Sequence, residues 1–284
     1  MNKLLKTMAI AMTMAIAAPA ASFAASVDML LYFKPGGSTD KHIQQMKPLM
    51  EAQGIEVNVQ YIKSCAEAIK YTEESNNDVL FYMLTGDYNP GATEGRCVLP
   101  TTMKMKAVAI PYVGPLNVCV GPAGKGTTLA DLQAGKSVTI GLGAGGKSKA
   151  YWEKSMAAIG ATGVEFKQYR GGGKKNKAAT AGDVDLYTSV NQGINRVKGN
   201  SGCILSTVRN DLKGTPFVGD VLGDANYPEF TDGQIIFANN PNSEAVKVYR
   251  NILTTTSYIQ SQKDNLLSVP ALSETEALME VYGK

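Results

Sequence analysis

One histidine and one tryptophan occur in 284 residues. His42 alone cannot supply a nucleophile–base–acid triad, and it is a poor start for a metal site. Ser38 and Asp40 stand near it in sequence, but the three side chains diverge around a helix start. The four cysteines contain no Cys-x-x-Cys pair, which removes the usual zinc and redox motifs. Charge of one sign is scarce as well. Setting aside Lys3 and Lys6 of the N-terminal segment, the basic residues outnumber the 25 acidic ones by about one. That balance argues against a nucleic-acid binder whose affinity comes from neutralising phosphates. Beyond Ala18 no apolar run approaches the length of a membrane span. Low-complexity tracts and fixed-period repeats are missing too.

What is present starts with an N-terminal pattern. Met1 to Lys6 is short and basic, and Thr7 to Ala18 is an apolar core too short for a bilayer. Ser22-Phe23-Ala24 then offers small residues at the usual cleavage positions. The pattern predicts an export signal over 1–24, cut after Ala24, and no cysteine follows it to carry a lipid. The expected product diffuses freely in a periplasm. That compartment permits disulfides. Three pairings of Cys65, Cys97, Cys119 and Cys203 are open. The shared N-terminal half favours Cys65–Cys97. Cys119 and Cys203, both in strand-like runs, either pair across neighbouring strands or stay buried thiols.

Most of the information lies in glycine-rich turns. Phe33-Lys34-Pro35-Gly36-Gly37-Ser38-Thr39-Asp40 follows an apolar strand and opens a helical pattern with Ile43, Met46, Leu49 and Met50. Gly141 to Ser148 does the same after Val138 to Ile140, and Gly171-Gly172-Gly173 follows a strand ending at Tyr169. A strand, a glycine turn and a helix start leave backbone N–H groups free, which suits an anion. Strand and helix patterns alternate along the chain, implying parallel strands covered by helices. In such sheets ligands sit beyond the carboxyl ends of strands, where all three turns fall. Lys106 to Tyr112 and Leu116 to Val120 read as strands around Gly114-Pro115, a crossing between domains.

Gly141-Leu142-Gly143-Ala144-Gly145-Gly146-Lys147-Ser148 also matches the G-x-x-x-x-G-K-S loop of nucleotide hydrolases. That chemistry needs Mg²⁺ and a second apolar strand ending in Asp. Asp183 and Asp185 flank Val184, but no long apolar run ends in either. The loop keeps its physics, N–H groups and a cation facing an anion, without the hydrolase reading.

Together the motifs resemble the substrate-binding proteins of tripartite tricarboxylate transporters. Phe33 to Asp40 resembles their F-x-P-G-G-x-x-D turn, and Ile140 to Ser148 their Y-G-S-x-G-x-G-S turn. Tyr169-Arg170-Gly171-Gly172-Gly173 with Gly182-Asp183-Val184-Asp185 resembles their Y-x-G-G-G…G-x-V-D segment. Tyr227-Pro228-Glu229-Phe230 stands where the family has a glycine–aromatic–glutamate segment. Tyr61 to Cys65 departs from the family's N-x-P-G-A-x-G turn, and Lys147 and Lys149 replace small polar residues. The resemblance implies an α/β, two-lobed periplasmic-binding-protein fold of type II with a hinged interdomain cleft. Lobe one would be 25–118 plus 233–284, and lobe two 119–232, hinged near Val113-Gly114-Pro115 and Thr231-Asp232-Gly233. It implies a receptor without catalysis or cofactor, a monomer. A small di- or tricarboxylate would be its ligand, and one large and one small integral-membrane subunit its partners. A phosphate or phosphonate receptor, or a secreted phosphate-ester hydrolase using the Gly141–Ser148 loop, are the competing readings.

The candidate ligand contacts follow. Phe33, Pro35, Gly36, Gly37, Ser38 and Thr39 form one cup. Gly145, Gly146, Lys147 and Ser148 form the opposing one. Tyr169, Gly171 and Gly172 belong to the third turn, and Thr85-Gly86 and Thr188-Ser189 end strands that point to the same cleft. Asp40 is read as fixing its loop, and Trp152 with Tyr151 as helix packing. Arg170, Lys174 and Lys175 are read as leaning toward the anion from what is usually a solvated face.

Overall fold

The structure is a computed structural model. It describes residues 23, 25–87, 97–100, 102–143, 146–169, 171–209, 211, 214–265 and 267–270. The export segment, apart from Phe23, and the chain from 271 onward lie outside these. The first half runs β1 (Ala25–Leu31), α1 (Ser38–Glu51), β2 (Ile55–Tyr61), α2 (Cys65–Glu74), β3 (Asp78–Leu84), β4 (Lys106–Ala109) and β5 (Val113–Val120). Then come α3 (Leu129–Gln133), β6 (Val138–Gly143), α4 (Gly146–Ala158), β7 (Val164–Tyr169), α5 (Gly172–Ala181) and β8 (Leu186–Val190). The chain closes with β9 (Cys203–Leu205), α6 (Val218–Leu222), β10 (Thr231–Ala238), α7 (Glu244–Leu253) and α8 (Thr256–Asp264). Short 3-10 turns cover Thr85–Asp87 and Asn191–Arg196. The strand expected over Lys106 to Tyr112 stops at Ala109, and its continuation starts afresh at Val113.

Strand order is β2-β1-β3-β10-β5-β8-β6-β7. β1 pairs in parallel with β2 and β3, and β6 in parallel with β7 and β8, as the alternating pattern requires. Two long strands break the parallel rule. β10 runs antiparallel to β3, and β5 antiparallel to β8. The two meet each other only at Thr231↔Pro115, Asp232↔Gly114 and Gly233↔Val113. One chain segment thus leaves the first half-sheet and another returns to it at the same point. Ser268 adds a third crossing there, exchanging both backbone hydrogen bonds with Val113 at 2.8 and 2.9 Å. A Cβ on Gly233 would collide with the Tyr112 carbonyl oxygen, so only glycine fits at the crossing.

Apolar burial divides in the same way. Met29, Leu31, Ile43, Met46, Leu80, Ile236 and Tyr249 form one core, with Leu30, Phe81, Ile235 and Phe237 on the other face of that half-sheet. Val118, Ile140, Leu142, Trp152, Met156, Leu186 and Leu205 form a second core. α7 shows how the sequence builds such a face: Ala245, Val246, Tyr249, Ile252 and Leu253 repeat at helical spacing and all are buried. α8, which carries a weaker apolar stripe, follows it without a sequence signature as clear.

Both disulfides form. Cys65–Cys97 joins the start of α2 to the segment before β4, and Cys119–Cys203 links directly paired residues of β5 and β9. They close 32 and 84 residues of chain. Loop-closure entropy gives about 3.7 and 4.5 kcal/mol respectively. Replacing Cys119 and Cys203 together by alanine should therefore lower stability more than replacing Cys65 and Cys97, as read by the urea midpoint.

His42 is buried among aromatic rings, with Tyr112 at 5.2 Å and Tyr82 at 5.9 Å between centroids. Its Nε2 lies 3.2 Å from the Tyr249 hydroxyl. Burial alone pushes the imidazole down to about 3 from 6.5. The unfolded chain then binds the extra proton first. His42 contributes stability that is complete above pH 6.5 and lost as pH falls toward 3. Between pH 7 and pH 4.5 the wild type should lose about 2–3 kcal/mol more than His42→Gln, measured by chemical denaturation at both pH values.

Candidate functional site

Helix starts divide by their caps. α2, α3, α7 and α8 begin at Ser64, Thr128, Ser243 and Thr255, and each side chain accepts a backbone N–H of its first turn. Thr128 and Asp131 complete a capping box. α1 and α5 begin instead at Gly37 and Gly171, with no side-chain cap. The five-residue α6 starts at Phe217 and also has none. A helix start without a cap leaves several N–H donors unsatisfied and a partial positive charge.

The glycine-led starts of α1 and α5, and the start of α4, open on one cavity of about 160 Å³ between the two half-sheets. Ser38 of α1, Ser148 of α4, and Gly171 and Gly172 before and in α5 all line it. So do Gly86, Thr188 and Ser189 from strand ends. These seven sequence candidates, drawn from both halves of the chain, come together. Leu84, Leu116 and Val190 add an apolar side. The volume is below the few hundred Å³ usual for drug-sized ligands and fits a small metabolite.

The remaining candidates lie elsewhere. Asp40 accepts the Gly36 N–H at 2.6 Å, the Tyr61 hydroxyl at 2.6 Å and Gln44 Nε2 at 3.3 Å. Gly36 is thereby spent on its own loop, and these bonds keep the Asp40 carboxyl below its usual value against the upward pull of burial. Phe33 packs on both faces of the first half-sheet, and Pro35 is exposed. Gly37, Thr39, Gly146 and Lys147 do not line the cavity. Burial lowers the Lys147 amine below its usual value. Tyr169 stands behind the lining, its ring 3.5 Å from where a Cβ on Gly141 would lie. Thr85 Oγ1 accepts the Gly233 N–H at 2.9 Å and so ties the strand crossing. Gly145 and Arg170 lie outside the described residues. Trp152 is fully buried, in keeping with helix packing.

Charge in the cavity comes from Lys175, already read as leaning toward the anion, and from Arg196, Asp87 and Asp232, which the sequence did not place in the cleft. Lys175 is not a solvated neighbour of Lys174; it is 6 % exposed and reaches the cavity from the first turns of α5. Its Nζ donates to the Thr188 carbonyl, and burial lowers the amine to about 8, partly offset by Asp232. The Lys175 stem passes beside Gly141, where a Cβ would lie 3.5 Å from it, an ordinary contact distance. Arg196 joins it from the 3-10 turn at 191–196. Buried Asn191 fixes that turn, accepting from Asn117 and donating to Asp211, both at 2.7 Å. Asp87 and Asp232 line the cavity as well. Asp232 sits at the strand crossing, and residues at a crossing between half-sheets necessarily border the cleft. That was the signal available for it. A second cavity of about 210 Å³ shares Ser38, Tyr112 and Arg196 and adds Lys41, His42 and Gln262.

No protein-family model and no curated protein sequence matches this chain. Its fold does match solved structures. Rpa4515 of R. palustris, solved with adipate, is 14% identical at a TM-score of 0.72, covering 91% of this chain and 94% of that one. MatC from Rhodopseudomonas palustris, with bound malate, is 11% identical at a TM-score of 0.68, covering 92% and 96%. The periplasmic binding protein BugD is 16% identical at 0.68, covering 92% and 93%. The α/β architecture, the paired half-sheets and the cleft between them are thus the two-lobed fold of periplasmic transporter binding proteins.

Proposed function

We propose that this chain is a periplasmic receptor of the tripartite tricarboxylate transporter type, which captures a small carboxylate between its lobes and carries out no chemistry on it. The observation that carries the reading is the convergence of three helix starts and the buried Lys175 on one small cavity. A carboxylate satisfies orphan N–H groups, gains from the helix dipoles and pairs with a charged donor. The apolar side offers contact to a short carbon chain. The adipate and malate of the two R. palustris structures supply the ligand class by analogy. The lobes are taken as 25–118 plus 233–284 and 119–232, a division supported by the separate apolar cores. In this reading 1–24 is an export signal cut after Ala24, and one large and one small membrane subunit accept the ligand from the closed form.

The hydrolase reading is not favoured. Asp185 spends a carboxylate oxygen on the Thr139 N–H at 2.8 Å, and the loop's Lys147 is not in the cavity lining. Ligands that bind only the folded state raise its melting temperature. In a thermal-shift screen, di- or tricarboxylates should raise it, while ATP with magnesium should not. A shift with ATP and magnesium and none with any carboxylate would overturn the receptor reading.

Lys175 is expected to carry the charge contact. Lys175→Met preserves the stem and removes the amine, and should weaken binding of the carboxylate found in the screen at least tenfold by calorimetry. Lys147→Met should change it less than twofold. Since the free amine loses its proton through about pH 8, wild-type affinity should fall about tenfold between pH 7 and pH 9. The Lys175→Met protein should show no such fall.

A further inference from the structure

The second cavity, of about 210 Å³, differs from the first in what lines it. One face of α1 contributes Ser38, Lys41, His42 and Gln45, which recur at helical spacing. Gln262 and Asn265 come from the end of α8. Ser38, Tyr112 and Arg196 border the first cavity too, so the two adjoin. Among the described residues no acid lines the second cavity, while Lys41 and Arg196 each bring a positive charge to it. Neither cation forms an ion pair among those residues.

Two buried side chains in this lining are also short of partners. His42 is 3 % exposed and Gln262 is 2 % exposed. His42 Nδ1 and Gln262 Nε2 make no hydrogen bond among the described residues. A buried polar atom that has given up water without finding a partner is costly, and folded proteins keep few of them. Burial keeps the His42 ring neutral, so one of its nitrogens carries a proton and the other accepts. With the proton on Nδ1, Nε2 accepts the Tyr249 hydroxyl and Nδ1 becomes a donor. Gln262 Nε2 is a donor already. The carbonyls at the end of α8 are spent: Gln262 O accepts the Asn265 and Leu267 N–H groups at 3.0 Å, and Ser261 O accepts Asn265 Nδ2 at 2.8 Å. Two cations and two unpartnered buried donors suit an anion with several acceptor oxygens. Water would satisfy the donors and leave both charges without a counter-ion.

We infer that the second cavity is a subsite for a further carboxylate of the ligand, held by Lys41, His42, Gln262 and Arg196 while the first carboxylate meets Lys175 and the glycine-led helix starts. This rests on the receptor reading above and assigns the residues that select di- and tricarboxylates over monocarboxylates. Arg196, which borders both cavities, is in reach of either carboxylate.

Acids matched in carbon number test the inference: succinate against butyrate, glutarate against valerate, and adipate and tricarballylate against hexanoate. Each is titrated by calorimetry at pH 7.5. At least one polycarboxylate should bind tenfold or more tighter than its monocarboxylate partner. Lys41→Met and Gln262→Met, each removing one donor and keeping an unbranched stem, should each bring that ratio within threefold. Lys41 is exposed, so Lys41→Met carries the test should Gln262→Met lower the melting temperature enough to unfold the protein. Monocarboxylates binding as tightly as their partners in the wild type would overturn the subsite and keep the receptor. A tenfold preference that survives Lys41→Met, and Gln262→Met where it folds, would overturn it as well. Binding by none of these carboxylates would sink the receptor reading itself.

Discussion

The unsatisfied backbone donors at the starts of α1 and α5 are the constraint on which this molecule turns. Four other helices close their first turns with a Ser or Thr hydroxyl. Gly37 and Gly171 have no side chain to do so. Leaving those N–H groups exposed to a cleft weakens the free protein slightly and makes an anion a substitute cap. In the proposed receptor the same atoms would serve both helix stability and recognition. Because they belong to separate half-sheets, a guest that satisfies both also joins them. Water competes poorly once the gap narrows, since each donor counts for more in a drier setting.

Around that centre the structure keeps its polar groups tied. Asp40 consumes the Gly36 N–H, Thr85 holds Gly233, and the Asn117–Asn191–Asp211 chain positions the turn that bears Arg196. A Cβ on Gly193 would stand 2.5 Å from Ser189 Oγ, so a larger residue there would require the Ser189 hydroxyl to turn away. Such supports hold the lining in place before a ligand arrives, which reduces the ordering cost of binding.

Much of the fold was legible in the sequence. β2 (Ile55–Tyr61) and α2 (Cys65–Glu74) are legible because alternation and helical spacing in those segments are undisturbed. The parallel pairs followed from the strand–helix alternation, and the glycine turns from composition alone. Other features were hidden for physical reasons. α5 starts at Gly172, although Gly172 and Gly173 have poor helix propensity, because tertiary packing overrides it. Lys147 and Lys175 look alike in sequence, each just after a glycine turn. Only the second lines the cavity. Asp87 and Asp232 are far apart in sequence, and their proximity depends on β10 pairing with β3, a non-local contact that no window reveals.

Ser268 locks onto Val113 where β5 and β10 meet. A joint of two polypeptide links can both bend and wring. A third link beside them resists wringing far more than bending, as a third leaf stiffens a flat spring. In the proposed receptor, relative movement of the halves would favour a single swing, bringing the walls together in one alignment.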